Sequence, residues 1–349
     1  MEVRIYDSEL NLVGIIESQT SLQWNRKYSE TGNFEMHVPI TSSNMNILKI
    51  GRIVSMRDKV DAGVIEDIRF YESEKKYEIV VKGRFLTSYM DRRLIRPTVN
   101  YSGKVELGMR KLITDLEYPI PNLELGELKG YDDEVTFQAT YKNLHDYMQN
   151  LARGFALGIR FRPDFTAKKI YFEIYKGVDR SALQSELARV EFSDRYDNIF
   201  SAEYHVNSQI EKNVMYVGGE GEGAQRTFIT VGDTSLTGLE RKEGFKDARD
   251  LRSDDISQAQ YIANLEERGR SELEKSVYSR AFECITNPRG NFGYVTNYDL
   301  GDIVTVGKES WGVEADLRIV RISEIYEHEI MDVNITFGSP LPEKIDWGE

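Results

Sequence analysis

Apolar and polar residues alternate one by one through most of this chain. That period fits strands with one buried face and leaves little room for an all-helical fold. In the first ninety residues VRIYD (3–7), LVGIIE (12–17), FEMHVPI (34–40), GRIVSMRD (51–58), GVIEDIRFYE (63–72) and KYEIVVKG (76–83) succeed one another. Thr31-Gly32-Asn33 and Asp61-Ala62-Gly63 supply turn residues between them. Short strands with compact turns and no long helices predict a small antiparallel barrel or sandwich over residues 1–97.

The period changes near Thr98. GKVELGMRKLITDLEY (103–118) reads as a short helix and TYKNLHDYMQNLARGFALG (140–158) as a stronger one. In the second, Leu144, Met148, Leu151 and Phe155 recur at helical steps, Thr140 is the expected N-cap, and Gly154 and Gly158 are the expected stops. IRFRPDF, a turn at Thr166-Ala167-Lys168 and KIYFEIYKG form a hairpin, so residues 98–190 read as an inserted α+β unit. From 191 to 349 strands resume as a second β-barrel region, some strands of which are expected to be shared with the first. One helix interrupts it at about 255–278. Asp255 and Gln258 have capping-box spacing there, and Ile262, Leu265, Gly269, Leu273 and Val277 lie on one narrow face. The fold class is therefore mainly β with an α+β insertion.

With 349 residues the chain is long enough for two or three cores. A formal charge of −13 argues against a protein that wraps nucleic acid, because such a protein offers Lys and Arg to phosphates. The single Cys284 excludes an internal disulfide and favours folding in a reducing cytoplasm. No apolar run approaches the roughly 20 residues of a membrane span. The N-terminus MEVRIYDSEL reads as a strand rather than a signal peptide, so release is expected by another route such as lysis.

YVGGEGEGAQR (216–226) contains Gly219, Gly221 and Ala224 at the G-x-G-x-x-A spacing of a dinucleotide turn. Such a turn must open a helix, whose N–H groups and dipole meet the pyrophosphate. Here the next residues are TFITVGD, which is a strand, and Glu220 and Glu222 repel a dianion. A tight hairpin or close backbone approach explains the glycines, and no cofactor is expected. His37, His145, His205 and His328 have no metal-ligand spacing. Cys284, in AFECITN, reads as a buried small hydrophobe, and no G-x-S-x-G elbow is present. The 58 carboxylates contain no marked pair, so no catalytic, cofactor or metal residues are assigned. ERKEGFKDARDLRSDD (240–255) alternates in sign and reads as a salt-bridged loop or subunit contact, in which Arg241, Lys242, Arg249 and Arg252 would meet acidic groups of a neighbouring copy.

NVMYVGGEGEGAQR succeeded by GLERKEGFKDARDL resembles a siphovirus tail-hub family from phages of Gram-positive hosts, also called tail-associated or minor tail proteins. Further matching segments are WNRKYSETGNFEMHVP (24–39), GVIEDI (63–68), GRFLTSYMDRRLI (83–95), FSDRYDNI (192–199), DLGDIVTV (299–306) and NITFGSPLP (334–342). Their order and spacing carry the likeness over nearly the whole chain. The resemblance implies a fold similar to the baseplate hub of contractile-tailed phages: two small β-barrels, an inserted domain, and a homotrimeric ring with pseudo-sixfold symmetry. It also implies a structural role at the distal tail tip. The partners would be the tail tube or tape measure, a distal tail protein, and a spike or fibre, with DNA passing through without specific binding. Synthesis would be in the host cytoplasm. Many relatives carry a C-terminal peptidase or receptor-binding extension; the pattern here ends near Glu349, so no enzymatic activity is expected. A cell-wall hydrolase or glycan-binding module, and the hub of a tail-derived bacteriocin, are the competing readings.

Overall fold

The computed structural model describes residues 1–73, 77–254, 256–276, 279–287, 291–327 and 330–338. Asp255, Val277, His328 and the close of NITFGSPLP from Ser339 lie outside these residues. The N-terminal alternation becomes seven strands and a short helix. They are β1 (Val3–Tyr6), β2 (Leu12–Ile16), β3 (Ser21–Lys27), β4 (Asn33–Pro39), α1 (Ser42–Ile47), β5 (Ile53–Met56), β6 (Ala62–Glu72) and β7 (Tyr77–Phe85). They pair antiparallel in the order β2-β1-β5-β6-β7-β4-β3. Leu22 stands opposite Met36 and Trp24 opposite Phe34, and all four point into one core with Val3, Ile5, Val81 and Phe85. Fully burying an aliphatic or Phe side chain of this kind contributes about 1.5–3 kcal/mol over leaving it exposed.

Two turn and strand assignments change. β3 is not among the predicted strands, because SLQWNRK mixes charge into the alternation; Arg26 nevertheless points inward. Asp61-Ala62-Gly63 is not the turn. The chain turns earlier, around Asp58 at φ 67°, and Ala62 and Gly63 already belong to β6. Gly63 is needed there for space, since a Cβ would stand 2.6 Å from the Phe34 ring.

The middle of the chain forms β8 (Val99–Lys104), α2 (Val105–Thr114), β9 (Leu123–Leu125), β10 (Glu134–Ala139), α3 (Leu144–Gly154), β11 (Gly158–Asp164) and β12 (Lys169–Tyr175). β8 pairs with β10, and β12 lies between β11 and β9. Both predicted helices are present, with Leu144, Met148 and Leu151 buried as expected. The ends of α3 differ. Its N-cap is Asn143, whose side chain accepts from the Asp146 N–H at 3.1 Å, while Thr140 donates to Thr98 instead. Its C-terminal turn is closed by Ala156 at φ 50°, not by a glycine. Tyr6, Leu10, Ile53, Ala62 and Val64 of the first sheet join this region's apolar cluster, so its core continues onto the back of that sheet.

The remaining strands are β13 (Glu191–Ser193), β14 (Ile199–Asn207), β15 (Val214–Gly218), β16 (Phe228–Gly232), β17 (Glu243–Asp247), then α4 (Gln258–Lys275), then β18 (Ser279–Thr286), β19 (Ile303–Lys308), β20 (Val313–Glu327) and β21 (Ile330–Gly338). Six of them extend the first sheet. The path runs β14-β18-β21-β20-β3, and β19 joins β13 to β20. A second core of Phe192, Phe282, Val304, Ile322, Ile335 and Phe337 lies against these strands. β20 serves both halves: its first part pairs with β19 and its second with β3. The register against β21 shifts between Ile319 and Arg321, and the Val320 carbonyl accepts from the Tyr28 N–H at 3.0 Å.

β14 and β18 are antiparallel neighbours, with Asn207 opposite Ser279. The described residues between them fold as a smaller body. β15 lies between β16 and β17, and α4 covers one face through Met215, Val217, Val231, Tyr261 and Leu265. The side chain of Ser257 caps α4 by accepting from the Gln260 N–H at 3.2 Å.

Candidate functional site

The glycines of 216–226 serve packing. Gly223–Gln225 form one 3-10 turn and β16 comes next, so the backbone N–H groups do not converge at a helix start. A Cβ on Gly219 would lie 2.2 Å from the Tyr261 hydroxyl of α4, and that hydroxyl accepts from the Glu220 N–H at 2.7 Å. Arg226 folds back over the turn and donates to the Gly218 and Gly219 carbonyls at 2.8 and 3.0 Å and to Asp247 at 2.8 Å. Gly221 takes φ +100°, open to glycine at little cost.

Three of the four cations singled out in the 240–255 run meet acids of their own chain. Arg241 holds Glu243 at 2.6 Å, Lys242 holds Glu211, and Arg249 holds Asp247 at 2.6 Å. Hydrogen bonds from Arg249 keep the Asp247 carboxyl down at about 2, with Arg226 adding to the effect. Arg252 contributes its backbone N–H to Gln138 at 3.2 Å. The salt-bridged reading of this run holds within one chain.

The histidines are dispersed. His37 bridges Glu35 and Glu78 at 3.0 and 3.1 Å. His145 pairs with Thr31 and Gln149, both at 2.7 Å, and burial lowers its pKa. His205 lies on β14, opposite Ala281. Cys284 is buried in the second core, where burial pushes its thiol pKa up. Among the described residues no group of three or more His, Cys, Asp or Glu is placed to hold a metal ion, and no helix is long and apolar enough to cross a membrane.

A buried polar cluster that no residue spacing in the sequence foretells is also present. Where β3 meets β20, Arg26 is 5% exposed and Glu324 is fully buried. Arg26 donates to Asp61 at 2.8 Å, to the Tyr294 hydroxyl at 2.8 Å and to Asp299 at 2.6 Å. Tyr294 in turn donates to Glu324 at 2.7 Å, which Tyr326 and Lys59 also contact. Burial works against the Arg26 charge, yet Asp61, Tyr294 and Asp299 more than offset it and hold its pKa well above the ordinary value. Burial likewise raises the Tyr294 hydroxyl, which stays protonated and donating. This chain of groups ties β3, the β5–β6 turn, the 291–302 loop and β20 into one seam between the two cores. Arginine within a predicted loop or strand gives no warning of such burial.

Several strand edges are left open among the described residues, one of them β2, which pairs only with β1 and exposes Leu12, Val13 and Ile15. Among the described residues β14 pairs on one side only, with β18, and β6 beyond Ile65 pairs only with β7. Phe200 and Val206 are exposed on β14, as are Phe70 and Tyr71 on β6.

A family model described as Siphovirus ReqiPepy6 Gp37-like protein matches residues 2–339. No curated protein matches the sequence. Among solved structures the chain is similar to the tail protein from Neisseria meningitidis MC58, at TM-score 0.61 and 12% identity, covering 97% of this chain and 96% of that one. It is similar to the 43 kDa tail protein of prophage MuSo2 from Shewanella oneidensis, at TM-score 0.61 and 13% identity over 97% and 98%. Prophage tail protein gp18 from Listeria monocytogenes EGD-e gives TM-score 0.56 and 13% identity over 97% and 95%. At these identities the likeness is one of fold.

Proposed function

This chain belongs to the Siphovirus ReqiPepy6 Gp37-like family and has the fold of phage and prophage tail proteins; from that premise we propose that it is a homotrimeric hub at the distal end of a tail. Residues 1–97 and 191–349 would supply two tube-like β regions per copy, with residues 98–190 inserted between them. Three copies in a ring then offer six similar β regions around a channel. The ring would join tail tube and distal tail protein to a spike or fibre, as a virion component without catalytic turnover.

The observation that carries this reading is that one continuous sheet leaves strand edges open, on β14 and β6 as well as on its other terminal strand β2. β14 lies at one end of the sheet, and the unpaired half of β6 lies beyond the seam. Exposed edges carrying large apolar residues are templates for another strand, and a head-to-tail contact between different patches closes into a ring. A chain charge of −13 suits a wall past which DNA slides, since a basic lumen would hold it by many phosphate contacts.

Sedimentation equilibrium tests the reading. A species near three times 40.2 kDa is expected, with Phe200→Glu on β14 shifting it towards monomer. A wild-type chain that stays monomeric at every concentration would overturn it. Zymography on host cell walls tests the absence of turnover; a lysis band lost on one carboxylate substitution would reverse that part.

A further inference from the structure

We infer that the hollow between β3, α3 and β20 binds one small dianionic oxyanion of the phosphate or sulfate type, within a single chain and apart from ring assembly. The hollow has a volume of about 70 Å³. Tyr28 and Val320 line it where the Tyr28 N–H donates to the Val320 carbonyl at 3.0 Å. Three elements bring cations to it: Lys27 ends β3, Arg153 lies in the last turn of α3, and Arg321 lies on β20.

Lys27 and Arg321 point to an occupant. They stand directly opposite one another on antiparallel strands, and both line the hollow. Residues so placed have Cβ atoms roughly 4.5–5.5 Å apart, and like charges there destabilise a sheet. The Lys27 side chain is only 17% exposed, so water and salt screen the repulsion poorly. Among the described residues Arg321 makes no ion pair and no side-chain hydrogen bond. Its other cross-strand neighbour is Thr336, whose hydroxyl donates to Glu283. The carboxylate of the hollow is Glu30, and it is shared between Lys27 at 3.5 Å and Arg153 at 3.3 Å. Three cations around one carboxylate leave two positive charges unmatched.

Charge and room narrow the ligand. Two unmatched charges favour a dianion over chloride or a single carboxylate. The guanidinium forks of Arg153 and Arg321 suit oxygen atoms that accept hydrogen bonds in pairs, and Lys27 adds a point charge. One water needs roughly 10–15 Å³ of such space, so the hollow has room for a phosphate or sulfate and little more. The Tyr28 and Ser29 hydroxyls already donate to the Ala156 and Leu157 carbonyls at 2.9 and 2.8 Å. Recognition therefore falls to the three cations. The formal charge of −13 repels anions from the rest of the surface, so uptake of a dianion reports this hollow.

Phosphorus NMR of inorganic phosphate mixed with the full chain tests this, with ionic strength held constant by chloride. Saturable broadening of the phosphate line is expected; sulfate should reverse it and acetate should not. Arg321→Thr should weaken phosphate binding about tenfold or more. By removing the like-charge pair it should also melt no lower than wild type in phosphate-free buffer. Glu30→Gln removes the competing carboxylate and should tighten binding several-fold, which a purely structural role for these residues would not produce. No broadening with the wild-type chain would overturn the inference. So would displacement by acetate as readily as by sulfate, an unchanged affinity in Arg321→Thr, or no tightening in Glu30→Gln. The hollow lies within one chain, so neither a monomer nor a trimer in sedimentation bears on it.

Discussion

The seam at β3–β20 and the small sheet β15–β17 use the same ion-pair chemistry to opposite effect. At the seam Arg26 and Glu324 are out of water, so each partner is held by strong local fields and cannot be lost without stranding another charge. On the small sheet Arg249 and Asp247 are both exposed and Arg241 is half-buried against an exposed Glu243, so solvent screens both pairs. Burial, rather than the number of charges, decides which set the fold depends on. A sequence reader is drawn to the dense 240–255 run, yet the isolated Arg26 of WNRK bears the greater structural consequence.

Arg26→Met tests the strongest side of that contrast. It leaves Asp61 and Asp299 without their cation and should lower stability by about 3–5 kcal/mol, read from the urea midpoint. A loss no larger than that of an exposed pair would erase the distinction. Next comes Gly219→Ala, whose Cβ would meet the Tyr261 hydroxyl at 2.2 Å. Overpacking of this kind costs about 1–3 kcal/mol, and hydrogen exchange should show the loss in α4 and β15–β17 with the seam still protected. Asn143→Ala removes the α3 cap for about 1 kcal/mol, while Thr140→Ala should cost less.

The smallest effects belong to the exposed pairs. The Asp247 pKa is lowered from 3.8 to about 2 in the folded chain. Its stabilising contribution is therefore complete above its unfolded value and disappears as pH falls through about 2. Asp247→Asn should flatten the acid limb of the stability profile between those values, with its whole, small loss present at neutral pH and none left below about pH 2. Replacing Arg249 and Arg252 together with Glu should leave the urea midpoint of the chain nearly unmoved. A fall as large as that of Arg26→Met would show that exposure is the wrong criterion.

Strand positions are legible because half-burial writes period two into the sequence; Phe34, Met36 and Val38 are read correctly on that ground. Pairing partners are not. Nothing in IFSAEYHVN says that its neighbour, SRAFECIT, lies beyond a whole folded body, since alternation fixes faces and not register. The cap of α3 is misplaced by one turn at Thr140 because Asn143 competes for the same role and only tertiary contacts decide between them. The glycine turn is readable through the segment after it, a strand where a helix would be needed. Arg26 is not, because burial of a polar group depends on residues far away in the chain.

β20 gives the molecule a mechanical property. A force pulling one half from the other along its strands loads β20 in shear, so hydrogen bonds to β3, β19 and β21 resist together rather than opening one at a time. One fifteen-residue strand is common to both halves, so it bears the load directly. Strain applied at one end of the large sheet is passed to the other as through a stiff beam.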